Sequence, residues 1–133
     1  MTAIAGVWCL NGRPNASDSC GRVLAVQELY GRDGTAQWAK GSIALGRSLS
    51  RSVPEDKFDR QPLFDKSKRR VLVADVRLDN RNELIRSLGI PSELSLKLCD
   101  ADILLAAFEK WEEACFQHLV GDYAFALWDD TRQ

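Results

Sequence analysis

The sequence holds little from which a metal centre could be built. Its 133 residues include one histidine, His118, and four cysteines, Cys9, Cys20, Cys99 and Cys115, no two of them two residues apart. Zinc needs thiolates or imidazoles clustered at closer spacing, so no metal site is expected. Neither sign of charge is in excess: 18 basic and 19 acidic residues leave a net charge of -1. A nucleic-acid or membrane-surface binder would show a basic excess, and a solvating tail an acidic one. Long hydrophobic runs are also missing. Ile103 to Phe108 is among the longest, far short of the roughly 20 residues that span a bilayer. The segment Thr2 to Leu10 is apolar but has no basic leader and is broken by Gly6, so it reads as a strand and not as a secretory signal. The cytoplasm is therefore the expected compartment. The cysteine count permits two disulfides, but three of the four lie in apolar patterns, where a reduced thiol behaves as a small hydrophobe. Internal repeats and low-complexity tracts are absent from the sequence.

What is there suits a packed domain. Hydrophobic residues make up 45% and charged residues 28%, enough apolar surface to exclude disorder in a single domain of this length. Ala3 to Leu10 reads as a buried strand ending at Asn11-Gly12. Ser17 or Asp18 is placed to cap a helix through Val23, Leu24, Gln27 and Tyr30, ended by Gly31. Thr35 to Lys40 and Ser42 to Leu49 read as a hairpin turning at Lys40-Gly41. Arg51 to Arg60, with Pro54 inside it, reads as loop. Val71 to Leu78 is the clearest strand, and its second half alternates apolar and charged residues. Asp79 or Asn80 caps a short helix closed by Gly89, with a weaker helical turn over Ser92 to Leu98. Asp100 is expected to cap the best helix, whose stripe is Ile103, Leu104, Ala107, Phe108 and Trp111. Tyr123 to Trp128 reads as a buried strand before a turn at Asp129-Asp130. The tryptophans are spaced as core fillers, and His118 has no partner of its kind. This mixture of hairpins and helical connections predicts an α+β fold. An apolar strand so close to Gln133 leaves an edge without a partner, so completion by another chain or a longer polypeptide is expected, with a homodimer as the predicted state.

Several segments, in order, resemble one family. Met1 to Val7 is similar to the N-terminal strand of class II glutamine amidotransferases, the N-terminal-nucleophile glutaminase domains. Gly31-Arg32-Asp33-Gly34 resembles a shortened Arg-Gly-Pro-Asp-x-x-Gly loop, Leu45 to Leu49 the His-x-Arg-Leu strand, and Gln61-Pro62-Leu63 the Gln-Pro-Leu/Met segment. Ala74 to Asn80 stands where the family has Asn-Gly-Glu-Ile-Tyr-Asn, and Cys99 to Asp102 at its Ser-Asp-x-Glu segment. Gly121 to Asp129 is close to Gly-x-Phe-Ala-Phe-Ala-Leu-Trp-Asp. The likeness is strongest to the asparagine synthetase branch, which includes β-lactam synthetases and lasso-peptide cyclases. It implies a sandwich of antiparallel sheets with helices on the outer faces, incomplete at its C-terminal end. It also implies a following synthetase domain as partner, using ATP and magnesium, with no cofactor in residues 1–133 themselves.

In that family an N-terminal cysteine attacks the glutamine carboxamide and its own α-amine, of pKa ~8, is the general base. An Asn side chain and a Gly N–H form the oxyanion hole. The resemblance places Thr2 at the nucleophile position, while Asp75 and Val76 replace the Asn-Gly pair and Arg77 the Glu. An Asp carboxylate offers an oxyanion no donor, and Val76 crowds the approach that Gly permits. Arg47 could still pair with a carboxylate and Asp100 with an ammonium, which implies a vestigial glutamine pocket beside a lost catalytic centre. The expected function is a degenerate glutaminase-like domain that scaffolds an ATP-dependent amide ligase. Two alternatives stay open. One is a working Thr2 nucleophile, which requires removal of Met1. The other is an interaction module pairing through its last strand.

Overall fold

The computed structural model describes residues 2–132; expectations that fall on Met1 and Gln133 lie outside the described residues. Strands β1 (Ala3–Trp8), β2 (Gly34–Lys40) and β3 (Ile43–Leu49) form one antiparallel sheet in the order β1-β3-β2. Strands β4 (Leu63–Phe64), β5 (Arg70–Leu78) and β6 (Gly121–Asp129) form a second, in the order β4-β5-β6. Helix α1 (Ala16–Gln27) covers the first sheet. Helices α2 (Arg81–Ser87) and α4 (Asp100–Trp111) cover the second, and α3 (Ser92–Ser95) is a single turn between them. The expected sandwich with helices outside is the observed fold.

The layers follow from period-two alternation in the strands. In β5, Leu72, Ala74, Val76 and Leu78 pack against Leu84, Ile103, Leu104 and Ala107 on the helix side. Val71 and Val73 point the other way, to Leu45, Ile4, Trp38, Ala126 and Trp128 between the sheets. On β1 and β3, Ala5 and Ala44 meet Ala16, Cys20 and Leu24 of α1. Continuing these rows places Thr2, in line with Ile4, and Arg47, in line with Leu45, on the inter-sheet face. Asp75 lies there too, in line with Val73. The interior between the sheets thus turns from apolar to polar at one end.

Several local expectations are corrected. Helix α1 starts at Ala16 after Asn15, with no side-chain cap, and stops at Gln27 before reaching Gly31. Gly31 instead runs against β3, where a methyl group would lie 2.2 Å from the Ser48 carbonyl. Asp100 is not the cap of α4: Cys99 precedes the helix, and its N–H donates to Asp102 at 2.9 Å. The Arg51 to Arg60 loop contains a 3₁₀ turn, Pro54–Phe58. The last strand is longer than expected and is not buried. Among the described residues it pairs with β5 alone, and Asp122, Tyr123 and Ala124 are exposed. Trp38, Trp111 and Trp128 pack against the cores as expected, whereas Trp8 is 51% exposed and stacks edge-on with Trp128. His118 stacks on Trp111 with ring centres 4.0 Å apart, a structural role as expected. Arg77 is exposed and pairs with Asp79 and Asp122. All four cysteines are free thiols. Among the described residues, no helix is long and apolar enough to cross a membrane.

Candidate functional site

The polar end of the sandwich opens as a narrow cleft. It is lined by Thr2 before β1, Ser50 and Ser52 after β3, Asp56, Asp59 and Gln61, Ala74 to Val76 of β5, and Cys99 to Ala101 at the start of α4. Its volume is about 30 Å³, room for a water or two and too little for an amino acid.

At its centre the Thr2 backbone N–H donates to Asp75 Oδ1 at 3.2 Å. The two residues expected at the nucleophile and oxyanion positions are therefore together, 73 positions apart in the chain. The group facing Thr2 is an acceptor. Val76 forms part of the cleft wall but packs against the helix-side core, so the crowding expected of its side chain is directed away from Thr2.

Arg47 does not reach the cleft. It is 6% exposed, and every nitrogen of its head group is engaged. Nε donates to Asp59 at 3.1 Å, Nη2 pairs with the same oxygen at 2.9 Å, and Nη1 donates to the Gly34 carbonyl at 3.2 Å. Asp59 is held from its other side by the Gln61 N–H at 3.0 Å and by Gln61 Nε2 at 2.9 Å. Gln61 Nε2 also donates to the Ala74 carbonyl at 3.0 Å, while Gln61 Oε1 accepts the Ala74 N–H. The expectation of a free Arg47 clamp is corrected: a carboxylate of the chain itself is already in its fork.

Asp100 does line the cleft, and it too is occupied. It accepts the Leu78 N–H at 2.9 Å and pairs with Arg81, which also donates to the Ser95 and Leu98 carbonyls at 3.2 and 2.6 Å. Asp56 caps the 3₁₀ turn, accepting the Ser52 and Val53 N–H groups at 2.6 and 3.0 Å. Cys99 is the remaining sulfur nucleophile near Thr2. Burial first, then the Asp102 charge, pushes its thiol up to about 12, so it supplies no thiolate near neutral pH. Among the residues lining the cleft, none is basic.

Thr2, Asp75, Val76 and Asp100 meet here as their sequence positions suggest, whereas Asp59 and Gln61 line the cleft without having been expected there. The available signal was a carboxylate two residues before Gln61, in a segment read only as loop.

Comparison with known proteins places the sequence and the fold. The family model described as a glutamine amidotransferase domain matches residues 1–133. The sequence is 27% identical over 104 residues to asparagine synthetase [glutamine-hydrolyzing] 3 of Bacillus subtilis, covering 77% of this chain and 17% of that protein. The fold is similar to that of glutamine phosphoribosylpyrophosphate amidotransferase from B. subtilis. That match has a TM-score of 0.70 and 16% identity, and covers 98% of this chain and 35% of the other. The chain thus spans about a third or less of the length of either relative. With a family model matched over its full length, the chain belongs to the glutamine amidotransferase domain family.

Proposed function

We propose that this domain has lost glutamine hydrolysis and serves as the scaffold of a synthetase domain in an amide ligase of the asparagine synthetase type. The observation that carries the reading is the Asp75 carboxylate, 3.2 Å from the Thr2 nitrogen. Attack on a carboxamide builds negative charge on its oxygen, and catalysis needs donors aimed at that charge. Here the nearest side chain is an acceptor of the same sign as the charge to be stabilised. ATP and magnesium belong on this reading to the synthetase part, since the cleft offers no basic side chain to phosphates. The compartment would be the cytoplasm.

The test is direct. The purified chain is incubated with glutamine and glutamate is measured enzymatically, alongside the intact mass and a Thr2→Ala variant. The expected result is no glutamate above a boiled control, with both proteins identical. Glutamate release that disappears in Thr2→Ala would instead establish Thr2 as a nucleophile and end the scaffold reading.

A further inference from the structure

The Arg47–Asp59 pair has a consequence for what the cleft can bind. A guanidinium takes a carboxylate through two parallel donors, and those of Arg47, Nε and Nη2, are both on Asp59. Asp59 lines the cleft while Arg47 does not, so Asp59 stands between Arg47 and anything entering. It is fixed there: its side chain is 6% exposed and Gln61 holds both of its oxygens. The other charged groups lining the cleft are Asp56, Asp75 and Asp100. The α-carboxylate of a free amino acid entering this cleft would meet no charged group of opposite sign, only these carboxylates among neutral side chains.

We propose that Asp59 is a built-in carboxylate that occupies the Arg47 fork and closes the cleft to free amino acids, glutamine and glutamate included. This rests on the reading of the domain as an inactive glutaminase, and names the residue that sets its specificity. Removing the Asp59 side chain leaves a buried guanidinium facing a carboxylate-sized space, which acetate can enter.

The experiment compares wild type with Asp59→Ala in acetate, glutamate or chloride at equal ionic strength. Wild-type Tm is expected to be the same in all three. Asp59→Ala is expected to melt lower in chloride and to recover by ~5 °C or more, saturably, in acetate. The recovery should vanish in Arg47→Leu/Asp59→Ala. A folded Asp59→Ala that does not distinguish acetate from chloride overturns the proposal. Should that variant fail to fold in any buffer, wild-type protein decides alone. The Arg47 Nε–H resonance and backbone amides of residues 59–61 are followed by NMR against glutamate and glutamine to 50 mM. No saturable shift is expected, and saturable binding overturns the proposal. Binding without glutamate release would sink the role of Asp59 and leave the scaffold reading intact, whereas glutamate release removes both.

Discussion

Gln61 puts a carboxamide where a strand residue would be. It is 3% exposed, and its side chain both donates to and accepts from the backbone of Ala74, the residue before Asp75, while also holding Asp59. One amide therefore joins the loop carrying Asp59 to the strand carrying Asp75. Replacing it with Leu leaves the Ala74 N–H and C=O and one Asp59 oxygen without partners. Each buried orphan costs about 1–3 kcal/mol, so Gln61→Leu is expected to lose about 2–4 kcal/mol in urea denaturation. Gln61→Glu should also destabilise, because its second oxygen would face the Ala74 carbonyl and Asp59. A loss below about 0.5 kcal/mol in Gln61→Leu would show that the clamp is not needed. Arg47 belongs to the same assembly: its pair with Asp59 is buried, and stripping one partner from such a pair costs about 3–5 kcal/mol because the other charge is left uncompensated.

At the scale of elements, β6 is the exposed one. It pairs with β5 from Leu78↔Gly121 to Arg70↔Asp129, and its other edge has no strand among the described residues. It begins where only glycine fits: Gly121 has φ +149°, and a methyl group there would lie 2.0 Å from the Arg77 carbonyl oxygen. Above its helix-side face Phe116 stacks with Tyr123 and Phe125, and Phe116, Val120 and Tyr123 remain exposed. An unpaired strand edge beside apolar side chains is a template for strand addition. The expected outcome for the isolated chain is self-association through this edge. Sedimentation velocity should show a concentration-dependent shift towards dimer, weakened by Tyr123→Pro, which removes an N–H from the free edge, since Ala124 opposite Asp75 is turned towards β5. A clean monomer at every concentration would exclude pairing between copies.

At the scale of the whole molecule, one charge network ties the far end of the sandwich together. Arg70 of β5 pairs with Asp129 of β6 at 2.9 Å and Glu112 at 2.7 Å, and Lys40 of the first sheet reaches Asp130 at 2.5 Å. The Thr131 hydroxyl and N–H, then Arg70, hold the Asp129 carboxyl well below the usual range. Lys40 and the Trp128 indole lower Asp130. Burial pulls Asp65 upward, but the Ser67 hydroxyl and the N–H groups of Arg70 and Arg69 outweigh it and leave it lowered. A carboxyl depressed in the folded state contributes stability fully above its unfolded pKa of ~3.9 and loses it as pH falls through the folded value. Urea midpoints are therefore expected to fall from pH 5 towards pH 2. Asp129→Asn should start lower and fall less over that range; an unchanged acid slope would remove Asp129 from the account.

The sequence alone was enough for the strands β1, β3 and β5, the alternation in the second half of β5, the stripe of α4 and the turn at Gly41. It was also enough for the ordered segments that resemble the family, from Thr2 to the Gly121 to Asp129 strand. Those are read within a few residues of one another, where periodicity and turn chemistry are decided locally. Where each element stops, and which polar groups meet, was decided by the tertiary structure. Helix α1 gives way before Gly31 because that glycine must pass against Ser48. Arg47 faces Asp59 and not a ligand because Gln61, bonded to Ala74 of the other sheet, carries Asp59 into its fork. A buried guanidinium must take a partner, and which carboxylate arrives depends on how two distant strands are stacked, a distance that no local pattern in the chain records.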